Sequence, residues 1–306
     1  MLYAESGTCG DNVTWNLDNG VLTISGTGTM SDDASQCYFF HRSSITSVVI
    51  QNGVTSIGEY AFFECANLTS VFIPASVTGI GEAAFRRCAG LSSVTIPNSV
   101  TSIGEDAFLE CTGLTSVTIP ESVISLGEQA FCGCTRLTSV TFPNSITSVG
   151  RNAFYSCSNL ASPVYNEHVF AYLPERYSGA YSIPEGISTI APGACCNCMH
   201  LTAVTIPNSV TTIGDEAFWG CDSLTSITIP SSVTSIGEYA FFNCENITSV
   251  TCYATTPPAL EPHPLFGEAL SPAAATLYVP KGCAKAYKKS KWKQQFRRIQ
   301  EICSKK

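Results

Sequence analysis

Charged side chains are scarce in this chain, since Asp, Glu, Lys and Arg make up only 13% of its 306 residues. Histidine is rarer still, and its four copies are far apart in the sequence, at His41, His168, His200 and His263. Acid–base and metal chemistry need several such groups in one place. We therefore expect each histidine to be a solvated surface residue, and no metal or cofactor is expected.

Motifs that bind nucleotide phosphates or carry hydrolytic chemistry are also missing. The chain contains no Gly-x-Ser-x-Gly, no Walker loop and no His-Glu-x-x-His. No apolar run approaches the roughly 18 residues that a membrane-spanning helix needs. The sequence thus predicts neither an enzyme of these classes nor a membrane span.

The chain consists mostly of a unit that repeats every 23 residues and is clearest over residues 91–113. One apolar position shows the period: Leu68, Leu91, Leu114, Leu137, Leu160, and then Leu201, Leu224 and Ile247. A period of roughly 20–29 residues is typical of leucine-rich repeats, which stack into a solenoid. The 44% of apolar residues is ample for its linear core.

Each unit predicts a strand followed by one helical turn. In Leu91-Ser-Ser-Val-Thr-Ile96, Val94 and Ile96 share one face of the strand, and Ser93 and Thr95 share the other. The run Glu105-Asp-Ala-Phe-Leu-Glu-Cys111 indicates a helical turn that begins with acidic residues and buries Phe108.

Stacked units bring equivalent residues together. A buried aromatic spine is expected from Phe62, Phe85, Phe108, Phe131, Phe154, Phe218 and Phe241. A column of thiols beside it, the thiol ladder, is expected from Cys65, Cys88, Cys111, Cys134, Cys157, Cys198, Cys221 and Cys244. Neighbouring thiols would be close enough for disulfides, but a parallel stack points their Cβ atoms the same way. We expect small, buried, apolar thiols instead.

Two further cysteines, together with Cys198 of the ladder, have a spacing that resembles a metal site. In Cys195-Cys196-Asn197-Cys198, however, the repeat places Cys195 at a spine position and Cys198 in the thiol ladder. Core packing is therefore the favoured interpretation of this cluster.

The repeated pattern Leu-x-x-Val-x-Ile-Pro-x-Ser-Val-x-x-Ile-Gly-x-x-Ala-Phe-x-x-Cys, present at 68–88, 91–111, 201–221 and 224–244, resembles the BspA-like leucine-rich repeats of bacterial and protist surface proteins. Residues 7–30 and 277–292 are similar to the terminal segments of that family. The resemblance implies a non-catalytic binding or adhesion module, secreted or on the cell surface. Residues 1–5 lack the features of a signal peptide, so a trimmed mature segment is expected.

The predicted fold is an α/β repeat solenoid, a leucine-rich-repeat horseshoe of 23-residue turns with an N-terminal β-hairpin cap and a C-terminal helical cap. Asn19-Gly20 between alternating strands marks the hairpin, and Trp15 is expected to cover the end of the core. We read a single domain, with segments at 1–44 (N-terminal cap), 45–159 (regular turns), 160–177 (shortened turn), 178–250 (regular turns), 251–275 (proline-rich excursion) and 276–306 (strand and cap helix).

Basic charge is concentrated at the C-terminal end. Residues 281–306 carry ten Lys or Arg against Glu301 alone, a balance of +9, whereas residues 1–280 have a balance of −17. Tyr287, Trp292, Phe296 and Ile299 recur at helical intervals within the basic segment. This pattern favours a cap helix whose lysines remain exposed to solvent over a tail that binds nucleic acid or a membrane.

Two repeated surfaces are candidates for binding. The outward strand face carries columns of Ser and Thr, with Ser93, Thr95, Ser116, Thr118, Ser139, Thr141, Thr205, Ser226 and Thr228 as candidates. Such columns suit repetitive contact with an extended partner, yet Ser and Thr are also ordinary residues for an exposed strand. The position after the spine residue varies and supplies the aromatic alternative, at Phe63, Tyr155, Trp219 and Phe242. Packing between turns explains these aromatics equally well.

Three functional classes follow from these features. The first is a binding or adhesion module for host or bacterial surface proteins or glycans, acting as a monomer without nucleic acid. The second is a structural spacer that carries another domain. The third is an enzyme with an atypical site, for which Glu167, His168 and Glu175 would have to line one pocket.

Overall fold

The computed structural model describes residues 5–32, 39, 43–261, 263–266 and 275–303. The chain forms two compact units, Met1–Val164 and Tyr165–Lys306. Of the residues singled out above, His41 and the start of the chain up to Ala4 lie outside the described residues. The single-domain reading and its segment boundaries stay predictions.

The first unit begins with the predicted hairpin. Strands β1 (Glu5–Thr8), β2 (Val13–Asp18) and β3 (Val21–Gly26) are antiparallel neighbours. Asn19 and Gly20 connect β2 to β3 with φ values of 48° and 83°, the left-handed pair that a tight hairpin turn requires. Trp15 lies edge-on to Phe39 with the ring centroids 5.4 Å apart, so it covers the end of the aromatic column.

The remaining strands of the first unit run parallel, one turn apart. On one side of the turns lie β5 (Ser47–Ile50), β7 (Ser70–Phe72), β10 (Ser116–Thr118) and β12 (Ser139–Thr141). A second sheet is formed by β4 (Gly28–Thr29), β6 (Val54–Ile57), β8 (Gly79–Ile80), β9 (Ser102–Ile103), β11 (Ser125–Leu126) and β13 (Ser148–Val149). β14 (Val164–Tyr165) contains the last residue of the first unit and the first of the second.

The second unit repeats this arrangement. One sheet contains β15 (Val169–Tyr172), β17 (Thr189–Ile190), β19 (Thr212–Ile213), β21 (Ser235–Ile236) and β23 (Ala259–Leu260). The opposite strands are β16 (Gly179–Ser182), β18 (Leu201–Thr205), β20 (Ser226–Ile229), β22 (Ser249–Cys252), β24 (Thr276–Val279) and β25 (Arg298–Glu301). Two short helices, α1 (Ala284–Lys288) and α2 (Trp292–Gln295), lie between β24 and β25.

The strand register follows the sequence period. Ser116 pairs with Ser139 and Thr118 with Thr141, each 23 residues on. In the second unit Thr228 pairs with Thr251 at the same interval. The predicted leucine-rich-repeat solenoid of 23-residue turns is thereby confirmed, since one repeat makes one turn of the stack.

The aromatic spine is present in both units. In the first, Phe85, Phe108 and Phe131 stack nearly parallel with centroid distances of 5.3 and 5.2 Å, and none of the three is exposed to solvent. In the second, Phe218 and Phe241 stack at 5.5 Å. This column of rings supplies much of the linear core that the repeat predicts.

The helical turn predicted around Phe108 is wrong. Asp106 and Glu110 have φ values of 55° and 56°, in the left-handed region that a right-handed helix excludes. The N–H groups of Asp106, Phe108 and Glu110 donate to carbonyls of the next turn at 2.7–2.8 Å. Backbone bonds between turns therefore replace the helix, and the acidic residues there are not at a helix start.

Left-handed residues four apart recur in the regular turns of both units: Tyr60 and Glu64, Ala83 and Arg87, Asp106 and Glu110, Gln129 and Gly133, Asn152 and Ser156, Gly193 and Asn197, Glu216 and Gly220, Tyr239 and Asn243. None of them is β-branched, as the steric limits of this region require. We call the side of the stack that carries them the turn side.

Thiols of the ladder are bonded to the backbone. The Sγ of Cys88 donates to the Phe62 carbonyl at 3.1 Å and that of Cys111 to the Phe85 carbonyl at 3.0 Å. In the second unit Cys244 donates to the Phe218 carbonyl at 3.0 Å. Each thiol thus reaches the turn before it, which explains why a small side chain with a weak donor recurs here.

The C-terminal segment packs onto the last turns, but as α1, α2 and β25 rather than as one helix. Tyr287, Trp292 and Phe296 are at most 1% exposed. The Tyr287 hydroxyl donates to the Ala254 carbonyl at 2.7 Å, and the Trp292 indole donates to the Pro258 carbonyl at 2.9 Å. The lysines of this segment remain in solvent, as the cap interpretation expects.

Candidate functional site

The strand face is exposed where the sequence predicts it. Every candidate on it is solvent-accessible: Ser93, Thr95, Ser116, Thr118, Ser139 and Thr141 in the first unit, and Thr205, Ser226 and Thr228 in the second. In the first unit Phe72 interrupts the Thr column and is 60% exposed. The face is a regular array of hydroxyls, and besides Phe72 it carries Val21, which is 40% exposed and aligned with Ser47.

Two columns of Thr residues differ in the hydrogen bonds that their hydroxyls make. Thr115 donates to the Ser92 carbonyl at 3.2 Å and Thr138 to the Thr115 carbonyl at 3.0 Å, so this column stabilises the stack. Among the described residues, the hydroxyls of Thr95, Thr118 and Thr141 make no hydrogen bond to protein. The candidate Thr column is therefore available to a partner, a distinction that the sequence pattern alone does not make.

The aromatic alternative lies on the turn side. Phe63 and Tyr155 in the first unit, and Trp219 and Phe242 in the second, are all half-buried. Of the other residues in this column, Leu109, Cys132 and Cys196 are buried, and Arg86 is half-buried. The structure thus leaves the aromatic members partly accessible.

A cleft opens beside two of these aromatics in the second unit. Its volume is about 640 Å³, and it is lined by Glu216, Trp219, Tyr239, Phe242, Asn243, His263 and Pro264. The rings of Trp219 and Phe242 lie 4.5 Å apart, and Tyr239 meets Phe242 edge-on at 5.3 Å. The left-handed turns of two successive repeats bring these rings together.

His263 closes one side of the cleft. Its Nδ1 lies 2.7 Å from Oε1 of Glu238, and its ring stacks on Tyr239 at 5.2 Å. It is thus an exposed residue, as expected, but held in place. The 23-residue period does not predict this cleft, but the hexapeptide Gly-Glu-Tyr-Ala-Phe-Phe, which occurs at 58–63 and 237–242, is a sequence signal for both aromatic pairs.

Carboxylates form a second column on the turn side of the first unit. Partial burial, followed by repulsion from Asp32 and Glu82, raises the pKa of Glu59. Burial and the neighbouring Glu82 and Glu128 likewise raise the pKa of Glu105. The stacked acids therefore make this side electronegative.

The cysteines and the other potential metal ligands of the described residues occupy ordinary structural positions. Burial raises the pKa of the Cys111 and Cys195 thiols, so they remain protonated and unreactive. Over the described part of the chain, no group of three or more His, Cys, Asp or Glu side chains is arranged to hold a metal ion. Cys195 and Cys198 take the buried positions that core packing predicts.

Two of the residues proposed for an atypical enzyme site, Glu167 and His168, are neighbours at a chain corner, and β15 separates them from Glu175 in the sequence. Glu167 and His168 are both exposed. The Asn166 side chain accepts the backbone N–H groups of His168 and Val169 at 2.8 and 2.7 Å, so this corner is a structural turn. In the described residues there is also no helix of the length and hydropathy that crossing a bilayer demands.

Solved structures with the same kind of fold are bacterial leucine-rich-repeat proteins. One from Eubacterium ventriosum is 24% identical over 97% of this chain and 85% of its own, with a TM-score of 0.65. Others come from Bacteroides ovatus (21% identity, 96% and 99% coverage, TM-score 0.45) and, described as a leucine-rich cell surface protein, from Faecalibacterium prausnitzii (23% identity, 100% and 96% coverage, TM-score 0.44). No curated protein matches the chain.

The family model of the BspA-type leucine-rich repeat region matches in six copies, over residues 35–161 and 167–257. These ranges cover well over half of the sequence and coincide with the stacked turns described above. The chain belongs to the family of BspA-type leucine-rich-repeat proteins.

Proposed function

We propose that this protein is a non-catalytic binding module, secreted or displayed at a cell surface, that engages protein or glycan partners through the strand face. The observation that supports this proposal is the Thr column of the first unit. Thr95, Thr118 and Thr141 are exposed, and their hydroxyls make no hydrogen bond within the described protein, whereas the hydroxyls of the neighbouring Thr115 and Thr138 donate to backbone carbonyls.

Family membership supports a role without catalysis, because BspA-type repeats are generally non-catalytic. The regular spacing supports the type of partner. Parallel strands lie about 4.8 Å apart, so the Thr column offers hydroxyls at a fixed interval along the stack. An extended or repetitive partner can contact several of them at once, and weak contacts then add up.

The exposed Phe72 strengthens the case for a protein partner. At 60% exposure, it places an aromatic ring at the level of the Thr column. Aromatic residues at the centre of a polar surface are frequent binding hot spots. A glycan partner would use the hydroxyls more than this ring.

A binding screen with a matched variant tests the proposal. The purified chain is applied to arrays of matrix proteins and glycans and to bacterial cells, beside the variant Thr95→Lys, Thr118→Lys, Thr141→Lys. We expect retention of the wild type by at least one partner, loss of it in the triple variant, and the same melting temperature for both. Retention that survives the triple variant would contradict the assignment to the strand face.

The spacer function is the second candidate, favoured by the regularity of the stack. It predicts that the chain binds none of the arrayed partners. An attached enzyme or anchor in a longer form of the protein would then account for its role.

A further inference from the structure

The cleft beside Trp219 has a counterpart in the first unit that is already filled. There the hexapeptide at 58–63 places Tyr60 edge-on to Phe63, with the centroids 6.0 Å apart. The Arg86 guanidinium lies over the Phe63 ring at 5.5 Å and forms a 2.7 Å ion pair with Asp106. The chain itself therefore shows which group this aromatic arrangement accepts.

The same hexapeptide at 237–242 builds the same pair in the second unit. Tyr239 and Phe242 meet edge-on at 5.3 Å, and Trp219 adds a third ring, 4.5 Å from Phe242. In sequence, the residue after the spine position Phe85 is Arg86, whereas the residue after Phe266 is Gly267, which has no side chain. Among the described residues, no arginine lies over the second aromatic pair in the way that Arg86 lies over Phe63.

The lining of the cleft suits a cation. Glu216 lies on its wall, and the Glu238 carboxylate holds His263 at its edge. The faces of Trp, Tyr and Phe rings attract cations, with Trp the strongest of the three. The hydroxyls of a neutral sugar can donate to the carboxylate, but a guanidinium can stack on a ring and also form a charged pair with the carboxylate. The cleft volume of about 640 Å³ is also within the range of ligand sites.

From this comparison we infer that the cleft lined by Trp219, Tyr239, Phe242 and Glu216 binds an arginine side chain of a protein partner. The guanidinium lies against the aromatic rings, as Arg86 does on Phe63, and pairs with the Glu216 carboxylate on the cleft wall. This site goes beyond the proposed strand-face function. It is on the turn side of the stack, so either site can fail without the other.

Three blocked tripeptides, alike except for a central arginine, lysine or citrulline, test the inference by calorimetric titration. Citrulline keeps the shape of arginine without its charge. We expect the arginine peptide to bind and the citrulline peptide to bind about ten-fold more weakly or not at all, as the loss of a cation–π contact and a charged pair implies. Lysine should fall between them.

Variants locate the site. Trp219→Leu and Glu216→Gln should each weaken binding of the arginine peptide by about five-fold or more. Phe63→Leu is the matched control: it changes the same column in the first unit, where Arg86 already occupies the ring, and should leave binding unchanged. Thermal melting of each variant confirms that it folds.

Equal binding of the citrulline and arginine peptides, or no binding of the arginine peptide, would overturn the inference. Equal binding of lysine would overturn the guanidinium assignment. Loss of binding in the Lys triple variant of the strand face, with Trp219→Leu unaffected, would place the peptide on the other surface and contradict this site.

Discussion

Truncation of one spine residue, Phe108→Ala, tests the linear core. Phe108 is completely buried and stacks on Phe85 and Phe131 at 5.3 and 5.2 Å. Removing a buried phenylalanine side chain costs about 3–5 kcal/mol of unfolding free energy, because the lost transfer energy is joined by a cavity. Two aromatic contacts disappear as well, each worth about 0.5–1.5 kcal/mol and partly included in that range.

The size of the loss should depend on the volume removed. Phe108→Leu keeps most of the apolar volume and should cost about 1.5 kcal/mol or less, although it removes both ring contacts. Phe72→Ala is the matched surface control, since Phe72 is 60% exposed, and should change stability by no more than about 0.5 kcal/mol.

Urea denaturation followed by circular dichroism measures all three variants. The reasoning predicts the order Phe108→Ala, then Phe108→Leu, then Phe72→Ala, from the largest loss to the smallest. A loss below about 1 kcal/mol for Phe108→Ala, or an equal loss for Phe72→Ala, would refute the spine assignment.

Three further predictions concern the thiols, one tyrosine and the C-terminal cap. The ladder thiols should resist thiol reagents in the native protein, and at least the eight ladder cysteines should react after denaturation without reductant; disulfide-linked peptides from adjacent turns in a mass-spectrometric map would contradict this. The hydrogen bond from Tyr60 to Glu82, followed by partial burial, raises the Tyr60 pKa from 10.0 to about 12. The raised pKa means that Tyr60 stabilises the fold below pH 10 and loses that contribution as pH rises towards 12; a difference titration of wild type against Tyr60→Phe should show it, and Glu82→Ala should bring the Tyr60 pKa back towards 10. Deleting residues 281–306 removes the buried Tyr287, Trp292 and Phe296 and should cause aggregation or a clear loss of cooperative stability; a truncated chain that stays monomeric with an unchanged melting temperature would show that this segment is no cap.

The sequence predicts most of the fold because the 23-residue period determines both the turn length and the inward-facing positions. The period sets the length of a turn. It also identifies the inward-facing positions of each turn, which are Leu91, Phe108 and Cys111 in the repeat at 91–113. The hairpin at Asn19-Gly20 is predictable for a local reason, since few residues tolerate two successive left-handed positions.

The helical turn could not be rejected from the sequence. Acidic residues before Ala107-Phe108 suit a helix start and equally suit a left-handed turn, because Asp and Glu lack β-branching. The backbone hydrogen bonds to the next turn decide between a helical turn and a left-handed turn. The sequence of a single repeat does not reveal those bonds.

The cleft was missed for a similar reason. Trp219 and Phe242 were recognised as variable positions, but Tyr239 and His263 reach the cleft only through the fold. His263 comes from a loop outside the repeat, so no period predicts its contact with Glu238.

Side-by-side binding of the wild type and the strand-face triple variant to the same arrayed partners tests whether the strand face is the binding surface. We predict that at least one partner retains the wild type and that Thr95→Lys, Thr118→Lys, Thr141→Lys abolishes retention without lowering the melting temperature. If no partner is retained, or if the triple variant is retained as strongly as the wild type, the strand face is not the binding surface of this protein.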